Sequence, residues 1–359
     1  MHPPMNPPQK TAAVDLASVS AYQYDLPEEL IAQDPAEPRD SSRLLVLERG
    51  RGVAAHRTFR DLEEYLREGD LLVLNDTRVR PARLRARKTS SGRVEILVLR
   101  PLDPASNLWT ALVRPGRRVP PGTPLLLEDG TEVRVEERLE DGLRALRLPQ
   151  ETDPTRLFRR LGEVPLPPYI TRSVAPAERY QTVYSRPDRE GSAAAPTAGL
   201  HFTAPLLKRL EARGIGQAFV TLDVGLGTFR PVQTERAEDH VMHLERCSLG
   251  EETAEAIRQT RRRGGRVVAV GTTVVRTLET FANEEGQVLP GERDTRLYIR
   301  PGYRFRVVDG LITNFHLPRS TLLMLVAAFG GYEPVLEAYR EAVQLRYRFF
   351  SFGDAMILL

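Results

Sequence analysis

Hydrophobic positions recur along this chain in two rhythms, and the change between them divides it. Short apolar runs at residues 44–47, 71–74 and 267–270 read as buried strands, and residues 218–222 as a strand entering a G-x-G turn. Between them, residues 59–66, 153–161, 205–213, 251–263 and 335–346 read as helices, and residues 24–31 as a short helical start with Pro27 early in it. Strands separated by helices indicate an α/β sheet. From about residue 83 to 148 the rhythm shortens to six strand-like pieces, at 84–86, 94–99, 109–113, 125–127, 133–135 and 143–148. Breaks such as Ser91-Gly92, Pro115-Gly116, Asp129-Gly130 and Asp141-Gly142 separate them, the spacing of a small barrel or sandwich. The expected fold class is therefore α/β: a larger mixed α/β domain (residues 20–82 and 150–359) with an inserted small all-β barrel domain (83–149). Residues 1–19, proline-rich and polar at the start, are expected to form a disordered tail.

Polar residues collect where apolar runs stop. Residues 298–329 open as a strand, turn at Pro301-Gly302, and alternate Tyr303, Phe305 and Val307 against Arg304 and Arg306, the pattern of a second strand. Thr313, Asn314, His316, Arg319, Ser320 and Thr321 then crowd between two apolar runs, which suits a pocket wall. Ser320 and Thr321, placed after Pro318, equally suit a helix N-cap. Asn75-Asp76-Thr77-Arg78 ends the 71–74 run, where open sheets place their chemistry, or where a simple Asx turn would sit. The run 191–203 is rich in small residues and presents His201. Gly271-Thr272-Thr273 joins a strand to a helix N-terminus, a form of anion site that packing alone also uses. His240, His243 and Glu245 form H-x-x-H-x-E, which matches no strong zinc spacing; in an extended segment His243 and Glu245 would share a face, the carboxylate orienting the imidazole for proton transfer.

Composition narrows the class. The 359 residues are 41% hydrophobic and 28% charged, and no apolar run approaches a membrane span. The start lacks the apolar segment of a secretory signal, and the single cysteine, Cys247, forms no internal disulfide framework, so a cytoplasmic protein without a membrane partner is expected. Only Lys10, Lys88 and Lys208 are lysines among 51 basic residues. Arginine clusters at Arg78, Arg80, Arg83, Arg85 and Arg87 permit an RNA partner, although genome composition also enriches arginine.

Eleven segments in one order, among them LNDTRVRPARL, AAPTAGLHFT, HVMHLE, AVGTTVVRTLE, GLITNFHLPRSTLLMLVAAF and YRFFSFGDAMIL, closely resemble the S-adenosylmethionine:tRNA ribosyltransferase-isomerase family of queuosine biosynthesis. The resemblance runs from about Tyr24 to Leu358. It implies an α/β domain with an inserted β-barrel, and an enzyme that transfers and isomerises the ribosyl moiety of S-adenosylmethionine. The acceptor would be 7-aminomethyl-7-deazaguanine at the tRNA wobble position, the products epoxyqueuosine-tRNA, adenine and methionine. S-adenosylmethionine is then a co-substrate, tRNA the partner, no metal is needed, and a monomer is expected. Positions matching the family motifs make His201, His243, Glu245 and His316 the catalytic candidates. Thr228, Gly271, Thr272, Thr273, Arg276, Asn314, Arg319 and Ser320 would bind substrate, and Arg78, Arg85 and Arg87 tRNA. One position departs: the family's L-H-V-G is Leu222-Asp223-Val224-Gly225 here, so a histidine there is dispensable unless Asp223 replaces it. On the residues alone a metal-dependent hydrolase or a non-catalytic RNA-binding module stays open. A conventional methyltransferase is disfavoured, because no glycine-rich loop closes the first strand.

Overall fold

Nine strands form the central sheet of the computed structural model, which describes residues 14–89, 92–172, 176–225 and 232–359. Across the sheet they run Gly291–Thr295, Glu245–Leu249, Gly216–Leu222, Leu71–Asn75, Val267–Val270, Gly310–Asn314, Ala355–Leu358, Arg43–Glu48 and Gly52–Thr58. The four from Gly216–Leu222 to Gly310–Asn314 are mutually parallel, so their carboxyl ends open at one edge. Six α-helices accompany them: α1 (Pro154–Leu161), α2 (Ala204–Ala212), α3 (Glu251–Arg262), α4 (Thr272–Phe281), α5 (Thr321–Gly330) and α6 (Tyr332–Gln344).

Strand alternation sends apolar side chains to both faces. Leu72, Leu74, Val268, Val270 and Ile312 pack with Leu206, Leu207 and Leu210 of α2. Leu71, Val73, Ala269 and Leu311 pack on the other face with α3, α4, α5 and α6. Burial on both faces explains why these strands are continuous apolar runs in the sequence. The aromatic carboxyl end is part of this core: Tyr347 and Phe349 are fully buried, and Ala355–Leu358 lies inside the sheet between two partners. No single helix among the described residues is long and apolar enough to cross a membrane.

The shorter rhythm forms a closed six-stranded barrel of Arg83–Lys88, Arg93–Asp103, Leu108–Arg114, Pro124–Leu127, Glu132–Arg138 and Arg144–Arg147. Leu84, Ile96, Ala111, Leu125, Val133 and Leu146 point inward. Helix α1, which sequence places with the larger unit, buries Leu157 and Phe158 in this same core, the Phe158 ring edge-on to Trp109 at 5.2 Å.

Three expectations are corrected. Residues 303–307 are not a strand, although they alternate: the buried Glu279 carboxylate accepts the backbone N–H groups of Arg306 (2.9 Å), Val307 (3.0 Å) and Val308 (3.2 Å), leaving none for a ladder. The expected tail ends short of residue 19: Val19 is fully buried, and Ser18 bridges Arg236. The helical readings at 24–31 and 59–66 reduce to the 3₁₀ turns Glu28–Leu30 and Phe59–Glu64. Residues 1–13 lie outside the described residues.

Candidate active site

The carboxyl ends of the parallel strands carry the polar residues, and a cavity opens beside them. Asn75 ties three of these ends together. Its Nδ2 donates to the Leu222 carbonyl (3.0 Å) and more weakly to Thr273 Oγ1 (3.4 Å), and its Oδ1 accepts from the N–H groups of Leu222 (3.1 Å) and Thr77 (3.2 Å). It is an Asx-turn residue and a strand clasp. Asp76 and Asp223, both pushed upward in pKa mainly by burial, accept from Thr221 Oγ1 (2.7 Å) and Thr77 Oγ1 (2.9 Å).

The cavity and the open space at its mouth together span about 750 Å³. Thr197, Thr272, Thr273, Thr313, Asn314, His316, Ser320 and Ser351 supply its polar wall, and Tyr169, Phe315, Leu317, Leu322 and Phe350 its apolar one. No carboxylate or cationic side chain lines it among the described residues. Two helices begin here. Gly271, at φ +98°, turns the chain into α4, a backbone region glycine enters without penalty. Ser320 caps α5, its Oγ accepting the Leu323 N–H at 3.2 Å and donating to the Leu317 carbonyl at 2.8 Å. The N-cap and pocket readings of Ser320 both hold. Two helix amino ends at one cavity favour a ligand carrying negative charge.

His316 and His201 differ in placement. His316 lines the cavity, its Nε2 2.8 Å from Thr313 Oγ1, its N–H donating to Tyr339 Oη (3.1 Å) and its carbonyl accepting from Tyr24 Oη. Its Nδ1 has no partner among the described residues. Desolvation pushes its pKa down to about 3, so it is neutral at pH 7 and not poised near 6.5. His201 is buried behind the wall, 3% exposed and stacked on Phe59 at 5.0 Å. Its Nδ1 lies 2.8 Å from Ser42 Oγ and its Nε2 accepts from Asn314 Nδ2 at 3.1 Å. Burial first, then Arg348 and Arg39, hold its pKa down to about 3. His201 therefore positions Asn314 and does not face the cavity. Asn314 is saturated: Nδ2 also donates to the Phe350 carbonyl (3.1 Å), and Oδ1 accepts from Thr197 Oγ1 (3.1 Å).

The remaining expected residues separate. Glu245 is buried in an ion pair with Arg276 and accepts the Gly225 N–H at 2.9 Å. Arg276 also donates from Nε to the Leu297 carbonyl (3.0 Å), while its buried NH2 group has no partner among the described residues. His243 is half-buried near His240; neither it, Glu245 nor Arg276 lines the cavity. Arg319 is exposed at φ +55°, outside the lining. Thr228 lies outside the described residues. Among those residues no group of three His, Cys, Asp or Glu side chains could hold a metal. Arg78 is mostly covered, bonded to Ser185 Oγ (3.0 Å) and paired with Glu178. Arg85 pairs with Glu163 at 2.6 Å on the barrel surface. Arg87 is exposed and faces Arg93 directly across the strands. Sequence reasoning missed Tyr169, Thr197, Phe350 and Ser351, which sit in loops and enter the wall only through tertiary contact.

An open α/β sheet with a pocket at its strand carboxyl ends defines an enzyme of the small-ligand-binding α/β class. The chain belongs to the queuosine biosynthesis protein family, whose model matches residues 19–358. An S-adenosylmethionine:tRNA ribosyltransferase-isomerase of Symbiobacterium thermophilum is 55% identical over 95% of this chain and 99% of its own length. That of Thermotoga maritima is 54% identical over 95% of this chain and 99% of its own. A crystal structure of S-adenosylmethionine tRNA ribosyltransferase from Thermotoga maritima, 43% identical, covers 95% of this chain and 100% of its own with a TM-score of 0.53.

Proposed function

We propose that this protein transfers and isomerises the ribosyl moiety of S-adenosylmethionine onto 7-aminomethyl-7-deazaguanine at the tRNA wobble position, releasing adenine and methionine. The observation that carries the reading is the full-length identity to relatives named for this activity, together with a cavity at the strand carboxyl ends whose described lining holds hydroxyls and no charged side chain. The reaction needs a base for a proton made acidic by the sulfonium, and an acid for the departing adenine. His316 supplies both from one position. Lining the cavity and neutral at pH 7, its ring accepts the proton and passes it to the leaving nitrogen; the low pKa that burial gives it makes it the better donor and the weaker base. The threonines and Ser320 hold the ribose and the methionine carboxylate at the helix amino ends. The protein works with tRNA in the cytoplasm.

The tRNA approaches over the barrel. Arg87 and Arg93 stand opposite one another on its exposed face, and Arg114 joins them across Glu95. Like charges in direct register are unfavourable by themselves and are relieved by an anionic partner such as a phosphate backbone. The reading requires no metal, and activity is expected to survive a chelator; loss restored by zinc or manganese would favour the hydrolase-type use of His240, His243 and Glu245. Incubation with S-adenosylmethionine and tRNA carrying the deazaguanine precursor, followed by nucleoside mass spectrometry, tests the function. Epoxyqueuosine is the expected product, and unchanged precursor in an otherwise folded preparation would reject it.

A further inference from the structure

Phe350 sits at φ +70°, a left-handed conformation that bulky residues avoid and that persists only where the surroundings enforce it. Here they do. Its N–H donates to the Phe315 carbonyl at 3.1 Å, and its carbonyl accepts from Asn314 Nδ2 (3.1 Å) and the Gly353 N–H (2.9 Å). Asn314 is fixed in turn by His201, and His201 by Ser42 and the Phe59 ring. A run of buried polar groups thus holds one aromatic residue in an unfavourable backbone state. The consequence is a ring set into the cavity wall, backed by Tyr169 at a centroid distance of 4.4 Å and a tilt of 39°. Tyr169 is itself anchored, its hydroxyl 2.6 Å from Ser351 Oγ.

We propose that Phe350, backed by Tyr169, is the platform on which the adenine of S-adenosylmethionine stacks, with Ser42, His201 and Asn314 as positioning residues that hold it. This rests on reading the cavity as the S-adenosylmethionine site. The Phe350 ring belongs to the apolar wall of the cavity, with Tyr169 behind it and the hydroxyls of Thr197, Thr313 and Ser351 in the same lining. Adenine is the matching flat surface of the ligand, and every purine presents a π-face that stacks on an aromatic ring. A ring also attracts a sulfonium, and a purine could arrive on the RNA instead, so the test separates these sources.

Phe350→Leu keeps a β-carbon in the same backbone state and most of the apolar volume, but removes the π-face. Binding of S-adenosylmethionine, S-adenosylhomocysteine and adenosine is measured by titration calorimetry, with the melting curve as a control for folding. All three affinities are expected to fall by about tenfold, since stacking on one base is of that size. A loss confined to S-adenosylmethionine would assign the ring to the sulfonium charge, and a loss seen only in the tRNA KM would assign it to the RNA base. Either outcome, or no loss at all, overturns the proposal. Should Phe350→Leu fail to fold, Tyr169→Leu removes the backing ring from outside the left-handed turn and is read against the same three ligands. An unaltered protein that binds adenosine yet transfers no ribosyl group would overturn the functional reading alone; one that binds none of the three would overturn both.

Discussion

His201 and His316 share a depressed pKa of about 3 and little else. Two polar partners occupy both ring nitrogens of His201 in the interior, whereas His316 lines the cavity and meets Thr313 through Nε2 alone. We therefore assign the proposed proton transfer to His316, the histidine that lines the cavity. His316→Gln is expected to lower turnover by roughly 10²-fold or more while leaving tRNA affinity and the melting temperature nearly unchanged. A variant that is destabilised yet fully active per folded molecule would make His316 a packing residue. Because the folded pKa lies below the ordinary value of 6.5, the neutral ring is present throughout pH 5–8. The rate should then show no His316-dependent fall on the acid side near pH 6.5; such a fall, abolished in His316→Gln, would contradict the desolvated ring.

At the scale of elements, what was legible in the sequence follows from how local the signal was. The barrel strands were legible because Leu84 and Ala86 alternate with Arg83, Arg85 and Arg87, and because most of the turns carry a glycine. The central strands were legible as apolar runs. Residues 303–307 alternate just as cleanly and are no strand, because a carboxylate 24 residues earlier, Glu279, takes their donors. Such competition is invisible without the fold. Glu279→Gln, which halves the acceptor capacity for three backbone N–H groups and the Tyr303 hydroxyl, is expected to lose about 1–3 kcal/mol of stability. Chemical denaturation measures it, and an unchanged midpoint would show that water replaces these bonds without cost. The site was legible to the same degree: Asn314, His316, Thr272, Thr273 and Ser320 stand at strand ends and helix starts that the sequence marks. Tyr169 and Phe350 reach the cavity from loops, and no periodicity marks them. Glu245 was read as the carboxylate that orients His243, and its pairing with Arg276, 31 positions away, was not legible.

Across the whole molecule the division of labour is spatial. The sheet edge carries the cavity, and the barrel presents Arg87, Arg93 and Arg114 on a face removed from that cavity's lining. Arg87→Ala combined with Arg93→Ala is expected to weaken tRNA binding and reduce its salt slope by about one to two. Affinity for S-adenosylmethionine alone should not change. Equal loss of both affinities would join the barrel to the small-molecule site.

The central claim is that the ribosyl group, and not the methyl group, leaves S-adenosylmethionine for the tRNA. Two preparations of S-adenosylmethionine, one labelled in the ribose carbons and one in the methyl carbon, are incubated separately with the protein and precursor tRNA. The account predicts that the ribose label enters the tRNA nucleoside, with adenine and methionine released in equal amount, and that the methyl label stays with methionine. Methyl label in the tRNA with S-adenosylhomocysteine as the by-product would contradict it.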